Sequence, residues 1–137
     1  MTPASRAVLV DTSAYFALAD RTDQHHAAAV GFVQANDRAL VTTDLILVET
    51  LNLVQARLGS APAIALGKRL LAPATTTALE VTDADWAQAW RLFQRYRDKA
   101  FSFTDCTTFA LMARLGLSTA FAFDLHFRQY GRLVVVP

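Results

Sequence analysis

The stretch Ala7-Val-Leu-Val10, closed by Asp11-Thr-Ser13, decides the fold. Four consecutive apolar residues with no polar alternation mark a strand buried on both faces, the situation of a central strand in a parallel sheet. The carboxylate that follows therefore sits at the strand's carboxyl end. Residues 12–19 read as a short helix, so the chain opens as a strand feeding a helix, and that unit recurs.

Residues 25–34 are Ala-rich and helical, and Asn36-Asp-Arg38 breaks them before a second strand at 39–42. Thr43 or Asp44 can cap a long helix to Leu58, which Gly59 ends; a further helix from about Ala61 to Leu71 should stop near Pro73. Residues 76–81 form a third expected strand. Thr82-x-x-Asp85 resembles a capping box for a helix to about Arg97, with Trp86, Trp90 and Phe93 on one face that we expect in the core. Phe103-Thr104-Asp105 opens another helix ending at Gly116, residues 119–123 are a strand ended by Asp124, and residues 133–136 are the last strand. The order β-α-α-β-α-α-β-α-α-β-α-β predicts a three-layer α/β/α sandwich with a mostly parallel central sheet. No repeat or linker divides the chain, and one domain over residues 1–137 is expected.

Of the 137 residues 53% are hydrophobic and 18% charged, which excludes disorder and leaves apolar surface for a protein partner or a dimer. The net charge of +1 gives no global attraction to phosphate, so nucleic-acid binding would need a local basic patch or metal ions. Cys106 is the only cysteine, which excludes an internal disulfide and fits the reducing cytoplasm. The apolar run before Asp11 is only four residues long, too short for an export signal, and no apolar run approaches the ~20 residues that cross a bilayer, so we expect no membrane association.

Eight of the twelve acids fall where carboxylates are easily solvated, in turns or at helix starts. Asp11, Glu49, Asp105 and Asp124 do not. Asp11 and Asp124 follow apolar strands, Glu49 is the only charge between Asp44 and Arg57, and Asp105 is the only one between Lys99 and Arg114. An isolated carboxylate removed from water costs several kcal/mol and needs a cation, donors or a raised pKa. In an open parallel sheet the crevice at the strands' carboxyl ends is the usual ligand site, and all four can face it. Converging carboxylates repel by about 4 kcal/mol per close pair at an effective dielectric near 20 unless a divalent cation sits among them, and hard oxygen ligands select magnesium or manganese. Singly, each acid has a plainer reading: Asp11, Asp105 and Asp124 as helix caps, Glu49 paired with Arg57. The joint pattern favours one site.

Val8-Leu-Val-Asp11-Thr-Ser-Ala14, Thr42-Thr-Asp-Leu-Ile-Leu-Val-Glu49, Phe101-Ser-Phe-Thr-Asp105 and Ala122-Phe-Asp124-Leu-His-Phe127 together resemble the PIN-domain family, and within it the VapC-like ribonuclease toxins of toxin–antitoxin pairs. The resemblance covers nearly the whole chain. It implies a PIN-like fold, Asp11 and Asp105 as principal metal ligands, Glu49 and Asp124 as the other acids of the quartet, and Thr12, Ser13 or Thr104 as hydroxyls that orient water. It further implies an RNA substrate, a cognate antitoxin and a homodimer. Magnesium held by carboxylates activates a water and stabilises phosphodiester charge during in-line attack. Such hydrolysis leaves a 5′-phosphate and a 3′-hydroxyl.

His25 and His26 are expected at the surface, since adjacent helical residues diverge and no zinc pattern completes them. His126 can touch substrate or simply pack. Cys106 should point away from the acids as a buried small hydrophobe. Arg91, Arg95, Arg97 and Lys99 read as a solvated helix face, with phosphate binding the alternative, and Arg128 and Arg132 are better placed to bind substrate. The stretches 45–58 and 64–71 read as core, or, on the resemblance, as a helical pair that forms the antitoxin groove. Two rivals remain: a receiver-like signalling domain, which would need an adjacent acidic pair where Val10-Asp11 stands, and a PIN-like RNA-binding module without catalysis. A phosphatase would want an acid where Ser13 stands.

Overall fold

A computed structural model describes residues 6–72 and 76–137. The first five residues and the helix stop expected near Pro73 lie outside the described residues. The elements are β1 Val8–Val10, α1 Thr12–Ala19, α2 His26–Ala35, β2 Leu40–Thr43, α3 Asp44–Leu58, α4 Ser60–Leu70, β3 Thr77–Leu79, α5 Asp83–Arg95, α6 Phe103–Leu115, β4 Thr119–Phe121, α7 Leu125–Tyr130 and β5 Val134–Val136. Their order is the expected one. No helix among the described residues is long and apolar enough to cross a membrane.

The sheet runs β3-β2-β1-β4-β5, and every pairing is parallel. β1 lies at its centre, with Val8, Leu9 and Val10 at most 1% exposed, as its unbroken apolar run requires. The outer strands β3 and β5 are partly exposed. Because parallel crossovers are right-handed, strands laid down as β1, β2, β3 put α1 to α4 on one face, and the return to β4 and β5 puts α5 to α7 on the other. The packing agrees: α1 contacts α2 and α3, α3 contacts α4, and α5 contacts α6. This is the three-layer sandwich.

The helices begin where side-chain oxygens take up free backbone N–H groups. Thr43 Oγ1 accepts from Ile46 N at 3.0 Å, and two reciprocal capping boxes, Thr82 with Asp85 and Ser102 with Asp105, open α5 and α6. Gly116, at φ 70°, closes α6 in the left-handed conformation that favours glycine.

Two expectations need correction. The stripe Trp86, Trp90 and Phe93 is not core: these rings are 47%, 54% and 40% exposed and gather around Phe103 on the surface. What α5 buries is the neighbouring stripe Asp85, Ala89 and Leu92, whose small Ala89 lets α5 approach α6. Nor is Asp85 a solvated helix-start acid. It is 2% exposed and gripped by Arg114, whose Nε and Nη2 each donate to one carboxylate oxygen at 2.8 Å.

Candidate active site

The strand order reverses at β1, whose neighbours β2 and β4 are fed from opposite faces, so a crevice opens where the carboxyl ends of β1 and β4 diverge. Asp11 leaves β1 at that point and Asp11 N donates to Phe121 O at 3.0 Å. β4 ends at Phe121, two residues earlier than its apolar run suggested, and Asp124 enters as the N-cap of α7. Ser13 joins the two sides. Its hydroxyl donates to Asp11 Oδ2 at 2.8 Å and accepts from the backbone N of Phe123 at 3.0 Å and of Asp124 at 3.2 Å.

Capping and convergence turn out to be compatible. Asp11 caps α1 through Ser13 N at 3.1 Å, Asp105 accepts from Ser102 N at 3.1 Å, and Asp124 accepts from His126 N at 2.9 Å. Caps are usually exposed, yet Asp11 is 4% and Asp105 6% exposed. Burial pushes Asp11 up to about 7, against the two Ser13 hydrogen bonds, and the charges of Asp105 and Glu49 add to the rise. Asp105 is also raised, first by burial; the Ser102 hydrogen bond opposes this, Asp124 adds to it and His126 reduces it.

Glu49 is half-buried on the second turn of α3 and does not pair with Arg57, whose guanidinium lies 5.9 Å from the Phe16 ring centroid. The next residue, Thr50, donates to Thr12 Oγ1 at 3.1 Å and ties α3 to α1, so the Thr12 hydroxyl is buried in that contact. Thr104 is half-buried beside Asp105, and its carbonyl accepts from the hydroxyls of Thr107 and Thr108. Among the described residues no Lys or Arg pairs with Asp11, Glu49, Asp105 or Asp124. Arg128 and Arg132 are exposed; Arg128 Nη2 approaches Pro137 O at 3.5 Å, and neither reaches the acids.

His126 belongs to the cluster. Its Nδ1–H donates to Asp105 Oδ2 at 3.0 Å and lies 3.5 Å from Asp124 Oδ1, while Phe101 packs edge-on against the ring. Asp105, Asp124 and His126 each offer a ligand atom within 4.8 Å of the others. The fixed interval of two residues from Asp124 was the sequence signal for it. His25 and His26, expected at the surface, are half-exposed and each has a partner: His25 stacks on Phe123 with centroids 4.5 Å apart, and His26 Nδ1–H donates to Ala17 O at 2.8 Å. Cys106 is fully buried, and burial, with the Asp105 charge, pushes its thiol up to about 11, so it is no nucleophile.

The donor set of carboxylate oxygens, two of the carboxylates buried without a Lys or Arg partner, fits a hard divalent cation. The chain matches the PIN domain family over residues 8–133. The 23S rRNA-specific endonuclease VapC20 of Mycobacterium tuberculosis is 33% identical to it over 131 residues, 95% of this chain and 98% of that protein. The crystal structure of VapC20, described as a sarcin-ricin loop cleaving toxin, aligns with a TM-score of 0.88 at 31% identity over 95% of this chain and 99% of that one. DNA-bound VapBC from Salmonella typhimurium aligns with a TM-score of 0.67 over 94% and 96% of the two chains, a likeness of fold alone at 13% identity. With a third of its residues shared across nearly the whole of both chains, and the same parallel sandwich beneath them, this chain belongs to the PIN domain family, in its VapC-like branch.

Proposed function

We propose that the protein is a magnesium-dependent endoribonuclease, the toxin of a toxin–antitoxin pair, in which Asp11, Glu49, Asp105 and Asp124 form the catalytic acid cluster. The observation that carries this reading is the contrast between two kinds of buried acid. Asp85 is compensated by a bidentate arginine; Asp11 and Asp105 have no Lys or Arg partner. That the fold supplies Arg114 to Asp85, but only Ser13 to Asp11 and only Ser102 N and His126 to Asp105, supports a cationic ligand among these two.

Asp11, Asp105 and Asp124 would hold magnesium or manganese, which supplies Lewis-acid activation of water and neutralises phosphodiester charge when bound. Ser13 keeps Asp11 and the backbone before Asp124 at a fixed separation, and Glu49 completes the negative wall. Thr12 and Thr104 support the flanking backbone, and Arg128 and Arg132 bind RNA phosphates further out. The five strands share one sheet and one apolar core, which supports a single nuclease domain over the 137 residues.

Two surfaces suit protein partners. Between α3 and α4 lies a recess of about 420 Å³, walled by Leu51, Ala63, Gly67 and the exposed Ile64 and Leu71, that would seat an apolar segment of the antitoxin. On α5, Asp83, Trp86, Trp90 and Phe93 follow at helical spacing, an aromatic stripe with an acid at one end, and Arg97 follows in the turn just beyond the other end. Two copies laid antiparallel with Trp90 near the two-fold axis would bring each Asp83 to the partner copy's Arg97, a self-complementary dimer contact. The buried single cysteine fits a cytoplasmic protein.

The test is to incubate the antitoxin-free protein with total cellular RNA in magnesium, in manganese and in chelator, beside Asp11→Asn. Cleavage that requires both the metal and Asp11 is expected. Metal-independent cleavage, or full activity in Asp11→Asn, would overturn the site assignment, and no cleavage of any RNA would favour a non-catalytic RNA-binding module.

A further inference from the structure

A recess of about 280 Å³ opens directly beside the acid cluster, with Ser13 and Asp124 on the shared rim and Phe16, His25, Phe123 and Asp23 around it. Its aromatic wall is fixed from both sides. His25 and Phe123 stack nearly face to face, 4.5 Å apart and 7° from parallel. Phe123 is held because its backbone N donates to Ser13 Oγ, and His25 because its backbone N donates to Asp23 Oδ1 at 2.8 Å. Phe16 adds a further ring, and the Arg57 guanidinium lies 5.9 Å from its centroid, a cation beside a recess that joins these rings to the polar Ser13, Asp23 and Asp124.

The reaction at the acids needs a phosphodiester, and a phosphodiester in RNA carries a base on either side. Single-stranded bases are recognised by stacking on Phe and His rings beside a positive charge that follows the backbone. We propose that this recess is a nucleobase subsite, holding by stacking on Phe16 and the His25–Phe123 pair the base of the nucleotide next to the cleaved phosphate. The proposal rests on the ribonuclease reading for its ligand class. Preformed aromatic walls cost no ordering on binding, so Phe16 and His25 govern substrate affinity. His25 serves the substrate and not the metal.

Binding of a fluorescein-labelled five-nucleotide RNA, measured by anisotropy in chelator so that nothing is cut, tests it. The probes are the intact RNA and five versions that each carry one abasic ribose. For the wild type, removing the base at one position should weaken binding roughly 5- to 150-fold, the range for one stacked base. Phe16→Ala and His25→Ala should each weaken binding of the intact RNA within that range and make base removal at that position silent. Phe16→Leu keeps the apolar volume and loses the ring face, so it should behave like Phe16→Ala while melting near the wild-type temperature. Wild-type affinity in these variants, undiminished abasic penalties at every position, or no RNA binding by the wild type would overturn the subsite. Absence of metal-dependent cleavage with these differences intact would end the catalytic reading and leave the subsite standing.

Discussion

At the level of single residues, Asp11 and Asp85 show what burial does to a carboxyl with and without a cation. The Arg114 guanidinium holds Asp85 below the usual carboxylate range, whereas burial pushes Asp11 up to about 7. A group that binds its proton more tightly folded than unfolded stabilises the fold fully below its unfolded value, near 4, and loses that contribution as pH rises through its folded value. In metal-free protein the raised Asp11 and Asp105 should therefore lower stability progressively between about pH 4 and 7. Asp11→Asn removes the larger part of this and should melt higher than the wild type at pH 7.5, by on the order of 1–3 kcal/mol, and equally at pH 4. A difference in melting temperature that does not change with pH would contradict it. Asp85 behaves oppositely, stabilising above about pH 4 and losing its contribution as pH falls. Arg114→Leu should cost about 2 kcal/mol in a urea titration at pH 7, because it strands a buried carboxylate that keeps only its capping bonds.

Among the elements, α5 carries the clearest test of partner contact. If its aromatic stripe is the dimer surface, Trp90→Glu sets two carboxylates against each other at the two-fold axis and should give a monomer by light scattering. Asp83→Arg combined with Arg97→Asp should restore complementarity and keep the dimer. The same helix marks the limit of what sequence could reveal. Residues 85, 89 and 92 and residues 86, 90 and 93 are both helical stripes, and hydrophobicity favours the second, yet the fold buries the first. Apolar periodicity reports that a face will be covered without saying whether by the same chain. Strands, caps and the placement of Asp11 and Asp124 just beyond the carboxyl ends of β1 and β4 were legible because each follows from local pattern or from the geometry of parallel sheets. The partners of Asp85 and Asp105 were not: Arg114 lies 29 residues from the one and His126 lies 21 from the other, distances that only tertiary packing closes.

For the whole molecule, a cation held by the acid cluster would make stability depend on the ion. Magnesium or manganese at a hundredfold excess over its Kd should stabilise the fold by about 2.7 kcal/mol, roughly 10 °C in melting temperature for a chain of this size, and Asp11→Asn should abolish most of the shift. An unchanged melting temperature at millimolar magnesium and manganese would argue against a cation among these carboxylates. The parallel sheet adds a consequence in time. β1 is covered on one side by β4, and Ser13 reaches across 110 residues to fix Phe123. A growing chain on the ribosome thus carries Asp11 and Glu49 long before it carries Asp105 and Asp124. A chain that stops short of Thr119 leaves the β4 edge of β1 unpaired and lacks Phe123 and Asp124, so on the proposed function interrupted translation would leave no cutting fragment. A ribonuclease built in this order would be assembled last of all at its own blade.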